Sequence, residues 1–193
     1  MTSDKQAASL KENWEQRAVS RGNSLEGVLY RGFSPTLNQH VHEWHVWAVL
    51  SQLLPRLPQK AKVLDLACGY GRIRRAVIGE RPDLDVQGVD FSEIYCREHS
   101  RAFGGNTICA DMTKLPFAPG SFDAVIGVTA LMYLAPSTRE RDMTQILNLL
   151  KSGGHALFID PGSEFMRLAR LGIRPSRRTP TGGEGLSLKS QRH

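Results

Sequence analysis

The sequence predicts an α/β fold: a doubly wound, mostly parallel sheet of five identifiable strands with helices on both faces. Three observations carry this reading. Short apolar runs at residues 63–66, 86–89, 107–110, 124–128 and 156–159 lack polar alternation, as strands buried on both faces require. Helix-patterned stretches separate them; residues 136–151 place Met143, Ile146, Leu147 and Leu150 on one face and meet a stop at Gly153 and Gly154. The first run leads into a glycine-rich turn, and sheets with this strand–helix alternation bind ligands beyond the carboxyl ends of their strands.

With 193 residues and 40% hydrophobic content the chain supports one principal core. Its expected division is 1–58 for N-terminal helices and a lid loop, 59–172 for the α/β domain, and 173–193 for a basic, flexible tail. The first eighteen residues are polar and carry both charge signs, without the apolar heart of a signal peptide or the acid-poor bias of a transit peptide, so the mature chain is expected to begin here. Residues 9–20 read as a helix, and residues 21–38, rich in Gly, Asn, Ser and Pro, as a loop. From Thr36 onward Leu37, Val41, Trp44 and Ala48 recur at helical spacing until Pro55 and Pro58, predicting a helix that lies on the sheet through those side chains.

No apolar stretch approaches the length needed to cross a bilayer, so no membrane contact is expected. Cys68, Cys96 and Cys109 are odd in number and lack paired spacing, which fits a reduced, cytoplasmic setting. The net charge of +6 is uneven: residues 1–166 hold 18 Lys or Arg against 18 Asp or Glu, whereas residues 167–193 hold seven bases against Glu184 alone. A neutral body with one basic end reads as a solvated tail rather than a nucleic-acid surface.

The chemistry concentrates in KVLDLACGYGR, where a strand ends at Asp65 and turns through Gly69, Tyr70 and Gly71 into a helix. Glycine there lets the backbone approach a ligand closely. A dinucleotide fingerprint would need Gly or Ala where Arg74 stands, and a phosphate-cradling loop would need Gly-Lys-Ser/Thr, which is absent. Asp90 closes the second run, 19 residues beyond Gly71, where a carboxylate can accept from both hydroxyls of a ribose. Asp111 closes the third. Each alone is an ordinary turn former; three at neighbouring strand tips beside a glycine turn point to one nucleoside-containing ligand.

Over residues 62–160 the sequence resembles the class I S-adenosylmethionine-dependent methyltransferases, particularly the small-molecule branch that includes quinone-biosynthesis C-methyltransferases. VLDLACGYG resembles the first motif, GVDFS the acidic one that follows, CADMTKLPFAPGSFDAVIGV the next two, and LLKSGGHALFIDP the one that ends strand five. The resemblance implies a Rossmann-like sheet with an N-terminal helical lid, S-adenosylmethionine as methyl donor, S-adenosylhomocysteine as product, a small organic acceptor and no metal. It further implies that Ala67, Cys68, Gly69 and Gly71 wrap the methionine portion, that Asp65 reaches its ammonium and that Val128 offers it a carbonyl. Asp90 would hold the ribose, Phe91 an adenine face, Asp111 the adenine amino group, and the Met112 amide a ring nitrogen. Cys68 reads as an inert pocket wall, and core packing is the alternative for Phe91.

Methyl transfer rests on alignment, and a base helps only when the acceptor must lose a proton. Candidates are His42 and His45, which share a helical face in NQHVHEWHVW, and Tyr133 after strand four; ordinary surface or packing roles are open to all three. His40 points away from His42, which argues against a metal site. The family closes its sheet with two further strands. Beyond Asp160 the chain offers a helix with Phe165, Leu168 and Ala169 on one face and a single strand-like fragment at 185–188, so the closing hairpin is not identifiable. A noncatalytic cofactor-binding or regulatory module that needs a partner is therefore the alternative reading, and the oligomeric state is open. The Asn/Asp-Pro-Pro-aromatic motif and catalytic Pro-Cys of nucleic-acid methyltransferases are absent, which makes nucleic acid an unfavoured substrate.

Overall fold

The computed structural model describes residues 2–162. The expected helix at Phe165, Leu168 and Ala169, the fragment at 185–188, the basic tail and the question of a closing hairpin all lie outside those residues. Within them, β1 (Lys62–Leu66), β2 (Asp85–Asp90), β3 (Thr107–Cys109), β4 (Phe122–Val128) and β5 (Leu150–Ile159) form a parallel sheet in the order β3-β2-β1-β4-β5. The chain starts in the middle, runs outward one way through β2 and β3, and then crosses β1 to continue the other way. That reversal between β1 and β4 opens a crevice at the carboxyl ends, because the connections leaving the two strands depart to opposite faces.

Period-two side-chain alternation assigns the two cores. On one face Val63, Val86, Ala124, Ile126 and Ile159 pack against Ala48, Val49 and Leu53 of α3 (Pro35–Gln52) and its end, and Ile73 and Val77 of α4 (Arg72–Glu80). On the other, Leu64, Leu66, Val89, Phe122 and Val125 meet Leu131, Leu134, Leu149 and Ile146, the last on α6 (Arg139–Leu147). Beyond Val89, α5 (Glu93–Phe103) covers β2 and β3 with Tyr95, Cys96 and His99, all buried. Ahead of the sheet lie α1 (Thr2–Arg21) and the four-residue α2 (Leu25–Val28).

Four expectations change. The first helix starts at Thr2, well before residue 9, and the loop at 21–38 contains α2, capped by the Ser24 hydroxyl accepting from the Gly27 amide. On α3 the buried side chains are Asn38, His45, Ala48 and Val49, whereas Leu37, Trp44 and Trp47 face outward. Small Ala48 lets the helix come close, and His45 turns inward to meet Arg72, so a rotation of the helix replaces the expected Leu37–Trp44 face. The helix expected over 136–151 stops at Leu147, and Gly153 with Gly154 lies inside β5 rather than at a helix end. There a two-residue step from Phe122 to Ala124 faces a five-residue step from Leu150 to His155, and Gly153 at φ +77° absorbs part of the excess chain.

Gly71 begins α4 in the left-handed region at φ +88°, and a Cβ there would fall 2.2 Å from Phe103 Cε2 and 2.8 Å from His99 Cδ2. Gly71→Ala is therefore expected to lower unfolding free energy by about 1–3 kcal/mol, read as a reduced urea midpoint at unchanged slope; a wild-type midpoint would contradict the steric account.

Candidate functional site

A cleft of about 520 Å³ lies at the carboxyl ends of β1, β2 and β4, within the size range of small-molecule sites. Asp65, Ala67, Cys68, Gly69, Asp90, Phe91, Asp111, Met112 and Val128 all line it, as does Tyr133. Gly71 does not; it sits behind the turn against α5. His42 and His45 also stay outside the lining, one layer back on α3, and exposed His40 contacts the Thr36 carbonyl on its own helix. The loop at Tyr30 and Phe33 closes on itself as an edge-to-face ring pair and leaves Val28 to reach the cleft.

Each acid is prepared differently. Asp90 accepts from the Gly69 amide through Oδ2 and from the Ser92 amide through Oδ1, both at 2.9 Å, which locks the glycine turn to the start of α5. Burial pushes its pKa up to about 6 against the pull of those amides. Asp65 is buried on the α3–α4 side, and its Oδ2 has no hydrogen-bond partner. Burial pushes it up to about 7; Arg72 opposes the rise and Asp90 adds to it. Asp111 is half-buried and spends Oδ1 on the amide and hydroxyl of Thr113, at 2.8 and 2.9 Å, which orients its other oxygen without consuming it. Ala67 and Thr129, non-glycine residues at the ends of β1 and β4, hold left-handed φ of 55° and 57° at the cleft wall.

The roof is the N-terminal helix. Ser9, Leu10, Asn13 and Trp14 of α1 complete the cleft, and the Trp14 ring meets Tyr133 edge-to-face at 5.6 Å. Glu15 holds the helix down by accepting from the Ser92 hydroxyl at 3.0 Å and from the amides of Glu93 and Ile94 at 2.6 and 3.4 Å, a carboxylate placed on the positive end of α5. Lys11 pairs with Glu93 at 2.9 Å. Arg17, stacked over Trp14 at 4.7 Å, donates to the carbonyls of Glu26 and Leu29, joining α1 to α2. Sequence reasoning placed a lid here but missed these side chains, as it missed Arg72, Thr113 and Thr129, because α1 has no apolar stripe to show which face turns inward.

The described residues contain no group of three or more His, Cys, Asp or Glu arranged to hold a metal ion. A doubly wound parallel sheet with an acid-lined cleft at its switch point defines an α/β domain of the ligand-binding kind. Residues 63–154 match a family model described as Methyltransferase domain. The chain is 35% identical over 107 residues to the carboxy-S-adenosyl-L-methionine synthase of Campylobacter concisus, covering 53% of this chain and 45% of that protein. It is 32% identical over 108 residues to the ubiquinone/menaquinone biosynthesis C-methyltransferase UbiE of Desulfotalea psychrophila, covering 53% and 42%. It thus spans about half the length of the curated relatives it matches. Among solved structures, phosphoethanolamine N-methyltransferase 1 of Haemonchus contortus, in complex with phosphoethanolamine and S-adenosylhomocysteine, superposes with a TM-score of 0.66 at 20% identity, covering 84% of this chain and 34% of that one. At that identity the likeness concerns the fold.

The raised pKa of Asp65 has a defined sign. The folded protein binds more protons than the unfolded chain between about pH 4 and pH 7, so this group costs stability as pH rises through that window, and the cost stays constant above it. Asp65→Asn is expected to gain stability relative to the wild type between pH 4 and pH 8, by about 1 kcal/mol or more, in urea unfolding at the two pH values; a pH-independent difference would show that Asp65 is not a strained buried acid.

Proposed function

We propose that the chain transfers the methyl group of S-adenosylmethionine to a small organic acceptor by in-line displacement, leaving S-adenosylhomocysteine. The observation that carries this reading is the convergence of Asp65, Asp90 and Asp111, from three neighbouring strand ends, on one cleft beside the glycine turn. The bare Oδ2 of buried Asp65 fits an ammonium group, which would supply the missing partner. Asp90 has both oxygens anchored by amides, and its remaining lone pairs fit the two ribose hydroxyls. The oriented Asp111 carboxylate fits an exocyclic amine, with Phe91 and Met112 as walls for the adenine and the Val128 carbonyl near the amino-acid end. Ala67, Cys68 and Gly69 bring main chain to the ligand; the Cys68 thiol, raised well above its ordinary pKa by burial, acts as wall.

The cofactor supplies a sulfonium methyl, and the protein's contribution is alignment and exclusion of water. Trp14, Asn13 and Leu10 close the side from which an acceptor would approach, and Tyr133 stands there as the polar group nearest to a base or orienting role. Neither His42 nor His45 reaches the cleft, and burial lowers both, His45 to about 3, which leaves them uncharged at neutral pH but too far back for proton transfer to an acceptor. A small acceptor is favoured by the closed roof. The alternative, a cofactor-binding module completed by a partner, draws on β5, which pairs only with β4 among the described residues and leaves its outer edge as a place for added strand.

Isothermal titration calorimetry is expected to show S-adenosylmethionine binding that Asp90→Ala weakens about tenfold or more, with circular dichroism confirming a folded variant; unchanged affinity would sink the reading. Affinity should climb from pH 5 to pH 8 and then level off, because Asp65, at about 7, must ionise to meet the ammonium and Asp90, at about 6, to accept from both ribose hydroxyls. Formation of S-adenosylhomocysteine in an acceptor screen by the monomeric chain would remove the partner-dependent alternative.

A further inference from the structure

Arg72 opens α4 directly after the glycine turn; it is buried and still lines the cleft. Its Nη1 meets His42 Nδ1 at 3.2 Å and its Nη2 meets His45 Nδ1 at 3.3 Å. A guanidinium only donates, so both imidazoles must present Nδ1 as acceptor and carry their proton on Nε2, which makes both neutral. Among the described residues no carboxylate lies within ion-pairing distance of Arg72. A buried guanidinium held only by neutral partners is costly. Two histidines from α3 therefore aim a cation into the cleft without neutralising it.

Asp65 is its counterpart. It lines the same cleft on the same side of the sheet, is buried, and keeps Oδ2 bare. Arg72 and Asp65 sense each other's field without touching. Internal compensation would bring them together as an ion pair; instead they stand apart as separate buried charges of opposite sign. That arrangement complements a zwitterion, with an ammonium and a carboxylate on one carbon.

We propose that Arg72 binds the α-carboxylate of the ligand's amino-acid end while Asp65 takes the ammonium, and that His42 and His45 are positioning residues for the guanidinium. This rests on the cofactor reading above. It also explains the NQHVHEWH stretch, whose histidines neither reach the acceptor side nor gather a metal. The chemistry required is a carboxylate, which could come from the cofactor's own amino-acid end or from a carboxylate-bearing acceptor.

Three probes separate these sources in calorimetric titrations: S-adenosylhomocysteine, with ammonium and carboxylate; decarboxylated S-adenosylmethionine, with ammonium alone; and 5′-methylthioadenosine, with neither. Arg72→Met should weaken S-adenosylhomocysteine about 30-fold while moving the other two less than about twofold, and Arg72→Lys should recover part of the loss. His45→Leu should lower the ratio of S-adenosylhomocysteine to methylthioadenosine affinity, and His45→Gln, which keeps an acceptor, should restore it. Equal losses for all three probes would make Arg72 a merely structural residue and overturn the proposal. So would an unchanged S-adenosylhomocysteine affinity, which would move the carboxylate to an acceptor. A wild-type protein that binds none of the probes would defeat the cofactor reading itself, whereas binding that ignores Arg72→Met defeats this assignment alone.

Discussion

The carboxylate of Asp90 holds the site together. One oxygen takes the Gly69 amide and the other the Ser92 amide, so a single side chain at the tip of β2 fixes both the turn that leaves β1 and the first residues before α5. The turn's own backbone adds to that tie: the Cys68 amide donates to the Val89 carbonyl of β2 at 2.9 Å, and the Gly71 amide to the Cys68 carbonyl at 3.0 Å. The interaction also spends part of the acid's hydrogen-bonding capacity on the protein itself, and the two amides hold down a pKa that burial raises to about 6. Structure and binding thus draw on the same two oxygens.

Part of the molecule's unfavourable burial lies at the cleft. Asp65 lacks a full set of partners, Arg72 lacks an anion, and Ala67 and Thr129 hold backbone conformations that non-glycine residues avoid. Elsewhere the sheet is filled by Val, Leu and Ile at close to zero exposure, with their cores on either face. Two buried charges of opposite sign, Asp65 and Arg72, line one concavity without an ion pair between them, an arrangement that suits a ligand of complementary charge. The roof follows the same economy of contacts: Glu15 sits on the exposed amides of α5 and satisfies donors the helix leaves open, while Trp14 and Tyr133 meet across the opening.

Strand positions were legible in the sequence because a parallel sheet buries both faces and so writes itself as uninterrupted apolar runs. The acids at 65, 90 and 111 were legible for a related reason: a charged residue closing such a run must sit at the sheet's edge, and the shared topology brings those edges together. The exceptions are instructive. Gly153 and Gly154 carry the signature of a helix stop, yet the chain uses them to shift register within β5, and nothing local distinguishes the two uses. On α3 the apolar periodicity favoured Leu37 and Trp44, but the buried face was decided by Ala48 and by the polar contact between His45 and Arg72, partners 27 residues apart.

The sequence by itself determined the five apolar strand runs, the glycine turn and the three strand-end acids, because these depend on local backbone preference and on burial period alone; it did not determine the helix-free crossing from β3 to β4. Tertiary structure decided which of those acids is bare, which is tied down, and that an arginine beside the turn lines the cleft. Those outcomes depend on distances between side chains remote in the chain, and on how far burial raises the cost of each charge. Neither quantity is encoded in the spacing of residues along a single strand or helix.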